Sequence, residues 1–293
     1  MPVARVLRSV LAAALLIPAL AACSAGGTAI DSGSAPAAPA ASSASPEVSV
    51  AGVSPLAGPV SGGTAVTVSG AGLDALASVR IGEAEVPLEP GADGTTATFT
   101  TPAAVDFAPG AQQLALLGPG GSPVHEATFD YQVSTPVDRQ LSYVLAHWQS
   151  YNTAEYQTLE GNDCVNFTSQ SLVARGWTQD GEWFYDPSSV YSSGAPWRSS
   201  TAFRDWLRDR PELAVPLDDT QRNQVVPGDI AQFDWDNSGD RDHTGVVTRV
   251  EHTDAGTKIY FAGHTLDSDY RDVDQAITVD HPGGTAYYWH IVG

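Results

Sequence analysis

Gly161-Asn162-Asp163-Cys164-Val165-Asn166-Phe167-Thr168-Ser169-Gln170-Ser171-Leu172-Val173-Ala174-Arg175-Gly176-Trp177 is the stretch on which the reading of this chain turns. Asn162 and Asp163 carry side-chain oxygens of the kind that accept orphaned N–H groups at a helix start. No Gly or Pro interrupts Cys164 to Arg175, and Gly176 is a helix stop. The spacing predicts a helix with Cys164 in its first turn. Free N–H groups and the positive end of the dipole there favour a thiolate. The same N–H groups, around Asp163 and Cys164, can cradle an oxyanion beside an attacking sulfur. The plainer reading is a small buried hydrophobe, the commoner fate of a lone cysteine.

The whole chain sets bounds on that choice. Its 293 residues suggest about two domains. Acids outnumber bases 34 to 14, a net charge of −20 that disfavours nucleic acid as a partner. At the N-terminus Arg5 and Arg8 precede a short apolar run and then Leu20-Ala21-Ala22-Cys23. A charged start, an apolar run too short to span a bilayer and small residues at the cut make a secretory signal over 1–22. The last four residues resemble the bacterial lipoprotein cleavage site, which implies that Cys23 is lipidated and holds the protein on the extracytoplasmic face of the membrane. An ordinary signal peptide cut nearby, or a short uncut anchor, is the alternative. If Cys23 carries lipid, Cys164 has no disulfide partner, and an idle thiol in an oxidising compartment is unusual. Residues 23–46 are Ala, Ser, Gly and Pro with almost no large apolar side chain, a composition that reads as a disordered linker.

Residues 47–133 contain no Trp and alternate short β-rich runs with Gly and Pro. Runs at 65–69, 78–81, 96–100, 113–117 and 127–133 predict an all-β sandwich. Val53-Ser54-Pro55, Gly58-Pro59, Gly62-Gly63-Thr64, then Val66, Val68, Gly70 and Gly72, resemble the immunoglobulin-like IPT/TIG domain. That resemblance implies a spacer or binding module without catalysis.

All seven Trp lie in 134–293. Thr135-Pro136-Val137-Asp138 combines a cap, a first-turn proline and an acid three residues after the cap. Val137, Leu141, Val144, Trp148 and Tyr151 continue at helical spacing to about 151. After the Cys164 helix and an aromatic loop over 183–197, Ser200 is expected to cap a short helix that Pro211 stops. Strands are expected at 229–233, 244–251, 258–262 and 286–292. Helices followed by antiparallel strands predict an α+β domain.

Hydrolysis by a cysteine needs a base near the thiol and a group that orients the base. His243, at the start of one expected strand, is the candidate base. His264 or Asp267, after the next strand, could hold its ring. Each histidine taken singly is more often a structural or surface residue. Asp163-Cys164-Val165-Asn166-Phe167 with Ser169-Gln170 and Gly176-Trp177, Pro227-Gly228-Asp229-Ile230, His243-Thr244-Gly245-Val246-Val247 and Ala262-Gly263-His264-Thr265 resemble the amidase domain of bacterial exported proteins. That domain belongs to the wider papain-like group of cysteine hydrolases. The resemblance implies Cys164 as nucleophile, His243 as base and His264 as third member, though related groups use Asn, Gln or an acid there. The chemistry would be attack of the thiolate on an amide carbonyl, protonation of the leaving amine by His243, and hydrolysis of the acyl-enzyme. Trp183, Tyr185, Tyr191 and Trp197 could line a cleft for a peptide or glycan, although such aromatics more often pack a core.

Asp234, Asp236, Ser238, Gly239, Asp240 and Asp242 copy the ligand-rich part of a calcium loop, with Gly245 where the bidentate glutamate belongs. A solvated acidic hairpin is the competing reading. Left without a cation, these carboxylates are expected to raise the His243 pKa. No other cofactor is expected. The sequence thus points to a surface-anchored cysteine amidohydrolase acting on cell-wall peptides. The runner-up is a non-catalytic surface protein that binds peptide or glycan, and acyl transfer to an amine is a third possibility.

Overall fold

The computed structural model describes residues 48–292, which fall in one compact unit. The expected signal peptide, Cys23 and the whole of the expected linker lie outside the described residues. No helix among the described residues is long and apolar enough to cross a membrane.

The first region is built from β1 (Ser49–Ser54), β2 (Ala57–Pro59), β3 (Ala65–Ala71), β4 (Ser78–Ile81), β5 (Ala84–Pro87), β6 (Glu89–Pro90), β7 (Thr96–Thr100), β8 (Gly110–Leu117) and β9 (Pro123–Gln132). They form two sheets, ordered β1-β3-β7-β6 and β2-β9-β8-β4-β5. Alternation along β3 and β7 buries Val66, Val68, Ala97 and Phe99 and exposes the residues between them. Leu114, Leu116, Phe129 and Tyr131 supply the facing layer. This is the all-β sandwich that the alternation predicts.

The second region is α+β. Its elements are α1 (Pro136–His147), α2 (Cys164–Arg175), α3 (Ala195–Arg198), α4 (Ser200–Arg208), β10 (Ala214–Leu217), β11 (Ile230–Asp234), β12 (His243–Thr253), β13 (Gly256–Gly263), β14 (Ser268–Asp272), α5 (Val273–Gln275) and β15 (Thr285–Ile291). The antiparallel sheet runs β10-β15-β11-β12-β13-β14. Thr135 caps α1 in a full capping box with Asp138. The helix ends at His147 instead of near 151, and Tyr151 lies against His264. Strands β10 and β14 are not foreseen by the sequence. Both are sheet edges, and β10 carries Pro216, which is tolerated only where a ladder N–H is dispensable.

The sheet has two unlike faces. Ile230, Val246, Ala262 and Trp289 pack with Cys164, Val165 and Phe167 of α2 and Leu141 and Val144 of α1. Ala231, Phe233, Val247, Phe261 and Tyr288 point the other way and pack with Val273 and Ala276. The sandwich joins the helix side. Buried Asp138 accepts from the Ser61, Ser134 and Thr135 N–H groups, and the Ser142 hydroxyl donates to the Phe107 carbonyl.

Candidate active site

Asp163 occupies the N-cap position of α2, with Cys164 as the first helical residue. Gly176 ends the helix in the left-handed conformation, φ 118°, and returns its N–H to the Leu172 and Val173 carbonyls. Asp163 does not cap its own helix. Its Oδ1 accepts from the Leu159 N–H at 2.7 Å and the Asn166 side-chain amide at 2.8 Å, and its Oδ2 meets His264 Nδ1 at 2.6 Å. The Asp163 N–H donates to Thr265 Oγ1 at 3.0 Å. Thr265 holds φ 81°, an unfavourable conformation for a β-branched residue, and so marks strain spent on positioning this hydroxyl.

His264 is 1% exposed and stacks between Tyr151 and Phe167, with ring centroids 3.7 and 3.8 Å away. Its Nε2 donates to the His147 carbonyl at 2.9 Å, since a carbonyl only accepts. Both ring nitrogens are engaged, so His264 is pinned beside the start of α2.

The Cys164 side chain is 1% exposed. Its sulfur has Ser200 Oγ at 3.7 Å and Asn162 Oδ1 at 3.8 Å. Ser199, not Ser200, caps α4, which frees the Ser200 hydroxyl to face the sulfur. Thr244 Oγ1 donates to Ser200 Oγ at 3.0 Å. The Gln232 amide donates to Thr244 Oγ1 and the Ser200 carbonyl and accepts from the Trp289 indole N–H. Burial pushes the Cys164 thiol up, against the pull of the Ser200 hydroxyl and the Thr244 and Val165 N–H groups.

His243 lies on the other side of the sheet. It pairs with Phe233 across the β11–β12 ladder, and Val247 pairs with Phe261. Neighbouring residues on a strand point to opposite faces, so Thr244 faces Cys164 while His243 faces Phe233, Trp235 and Phe261. Its Nε2 is buried without a hydrogen-bond partner. Burial pushes its pKa down to about 3, helped by the charges of Arg271 and His281. The expected rise from the acidic loop is therefore overturned. Neither His264 nor Asp267 orients His243: Asp267 accepts from the Tyr151 hydroxyl at 2.8 Å instead.

Two of the expected cleft aromatics are core residues. Trp183 and Trp197 are fully buried, their indole N–H groups donating to Ser169 Oγ and Asn166 Oδ1. Tyr185 is half-buried, and its hydroxyl accepts from the Gln157 N–H, while Tyr191 stays exposed. In the acidic loop, carboxylate oxygens of Asp234, Asp236, Asp240 and Asp242 lie within 4.8 Å of one another. Ser238 donates its N–H to Asp234 and Asp236 and its hydroxyl to Asp240. This donor set suits a hard cation, but Gly245 sits inside β12 and adds no carboxylate. In the sequence Ser200 stands out only as a helix cap, Thr244 only as part of a motif, and Gln232 not at all. Their only signal is polarity at core positions, which needs the sheet register to be read.

Residues 49–131 match the IPT/TIG domain model. No curated protein matches the chain. Among solved structures, an auxiliary nutrient binding protein from Bacteroides thetaiotaomicron is 24% identical over 29% of this chain and 21% of its own, with a TM-score of 0.21. The equivalent protein from Bacteroides ovatus is 20% identical over the same shares, with a TM-score of 0.20, so this chain spans about a fifth of either one. SGBP-B of a Bacteroides ovatus mixed-linkage glucan utilization locus, solved with a heptasaccharide, is 11% identical over 80% of this chain and 50% of its own, with a TM-score of 0.21. Scores this low do not indicate a shared overall fold. The family match on the site-bearing region is of another order: residues 136–288, over half of the chain, fit the model described as "Putative amidase domain", and the chain belongs to that family.

Proposed function

We propose that this protein is a surface-anchored binding protein for peptide or glycan, whose amidase-type domain does not use Cys164 as a nucleophile in the conformation described. The observation that carries this is the register of β12. It turns His243 to the aromatic face while Cys164 sits sealed under Ser200 and Thr244 on the other. A one-residue slip of β12 would bring His243 across but would also turn Thr244 and Val246 out of their packing, so register is strongly held. Anchoring through a lipidated Cys23, a leader over 1–22 and a linker over 23–46 are part of the proposal. Loss of membrane association in Cys23→Ser tests that part.

A second reading is favoured by family membership and by Cys164 in the first turn of α2: a papain-like cysteine amidohydrolase acting on cell-wall peptides. In that reading Cys164 attacks the amide carbonyl, its N–H holds the oxyanion, and His243, with His264 as third member, moves the proton. That mechanism needs a rearrangement that brings an imidazole to the sulfur.

One experiment separates the two. Alkylation of Cys164 by iodoacetamide is followed against pH in the Cys23→Ser chain, with and without His243→Ala. Labelling that rises only near or above the ordinary thiol pKa of ~8.5, equally in both proteins, supports the binding protein. Fast labelling below pH 7 that His243→Ala abolishes overturns it in favour of the hydrolase. The proposal also takes Ca²⁺ as a ligand of the Asp234–Asp242 loop. Calorimetry with millimolar Ca²⁺ that gives no heat, with melting unchanged by chelator, removes the ion from it.

A further inference from the structure

Away from Cys164, a cavity of about 200 Å³ opens between α4, the edge strand β10 and its neighbour β15. Arg204, Arg208 and Arg241 line it together with Pro216, Tyr287 and Trp289, and no acidic side chain is among its lining residues. Three guanidiniums at one cavity are conspicuous in a chain with 14 bases against 34 acids.

The charges are only partly answered. Asp205, outside the lining, serves both Arg204 and Arg208, at 2.9 and 3.0 Å. Arg241 has its nearest carboxylate, Asp234, at 3.8 Å, beyond hydrogen-bond length. Its guanidinium lies 3.5 Å over the Tyr287 ring, and its Nε is buried without a partner. The charge of Arg204 adds to its unfavourable surroundings. The Gly239 and Asp240 carbonyls each accept from one fork, Arg204 and Arg241, at 2.6 Å, so a ligand need not order those two, whereas Arg208 is exposed. A planar anion is the group that guanidinium forks recognise best. The wall of Pro216, Tyr287 and Trp289 calls for an apolar body attached to that anion.

We infer that this cavity binds the carboxylate of a peptide, a free C-terminus or an acidic side chain, with its apolar neighbour on Tyr287 and Trp289. The inference deepens the binding reading and rests on it for peptide as the ligand. The cavity test does not involve Cys164, so it fails or succeeds independently of the alkylation experiment.

The probes are N-acetylphenylalanine and its carboxamide, titrated into the full chain while the arginine Nε–H resonances are followed by NMR. The acid should shift the Arg204 and Arg241 signals saturably, with the amide binding at least about tenfold weaker, a loss within the range for hydrogen bonds to charged groups. Arg241→Met should remove most of the affinity. Arg208→Gln, at an exposed position that leaves the fold intact, should weaken it several-fold. Equal binding of acid and amide overturns the proposal, as does acid binding untouched by Arg208→Gln. Inorganic phosphate binding more tightly than the acid replaces the peptide carboxylate by a simple oxyanion, and so overturns the peptide assignment.

Discussion

The two faces of the six-stranded sheet bury comparable side chains in opposite ways. On the helix side, polar groups are chained together: Asp163 with His264, Leu159 and Asn166, and Gln232 with Ser200, Thr244 and Trp289. On the other side, His243 stands among Phe233, Trp235 and Phe261 with Nε2 unpaired. Two histidines from one pair of adjacent strands thus meet different fates. The difference teaches that a buried imidazole is defined by what its face supplies. A face of helix ends and side-chain oxygens gives partners, whereas an aromatic face gives only desolvation.

The comparison breaks most visibly at Asp163. Asp163→Ala leaves His264, Asn166 and the Leu159 N–H without their acceptor in a dry site. It should cost about 3–5 kcal/mol, the usual range for breaking a buried pair, read from the denaturation midpoint at pH 7. A loss below about 1 kcal/mol would mean that the network is not holding the start of α2.

Asp138, at the junction with the sandwich, should come next. Burial raises its pKa, but the Ser61, Thr135 and Ser134 hydrogen bonds outweigh burial and hold the carboxyl below its usual range. A depressed carboxyl contributes stability above its unfolded pKa that is lost as pH falls through the folded one. Asp138→Ala should therefore destabilise by about 2 kcal/mol at pH 7 and narrow the gap from wild type in strong acid. An equal gap at pH 7 and in strong acid would exclude that linkage.

The aromatic face should show its character in mild acid. With the folded pKa of His243 depressed from 6.5 to about 3, the unfolded chain takes up a proton in that window that the folded chain refuses. Stability should fall as pH drops through it, by up to about 1.4 kcal/mol per pH unit. His243→Leu should remove that slope, and melting curves from pH 7 to 4 measure it. An unchanged slope would move the acid sensitivity elsewhere.

Ser200→Ala gives a smaller expected effect, about 1 kcal/mol, because it deletes one link of the Thr244–Ser200 chain while leaving the fold. Its sharper use is chemical. If Ser200 shields the thiol, alkylation of Cys164 should speed up in Ser200→Ala without any new dependence on His243.

Much of the architecture was legible from local pattern. Period-two alternation located five of the nine sandwich strands, β3, β4, β7, β8 and β9, and Thr135 to Asp138 announced the start of α1. Cys164 at the first turn of α2 followed from Asp163 before it and Gly176 after it. Edge strands β10 and β14 were hidden, because proline and charged residues are what edges need and what strand patterns exclude. The Trp183 and Trp197 pair was open to two readings, since aromatic residues look alike in a cleft and in a core until packing is known.

The sequence by itself determined where most of the helices and strands form, because caps, breakers and alternation act over a few residues. The tertiary structure alone decided which side chains meet. Whether His243 or Thr244 faces Cys164 depends on strand pairing set by distant side chains, and one residue of register reverses the answer. The same holds for the Arg204–Arg208–Arg241 cavity, whose members come from a helix and a loop that only the folded sheet brings side by side.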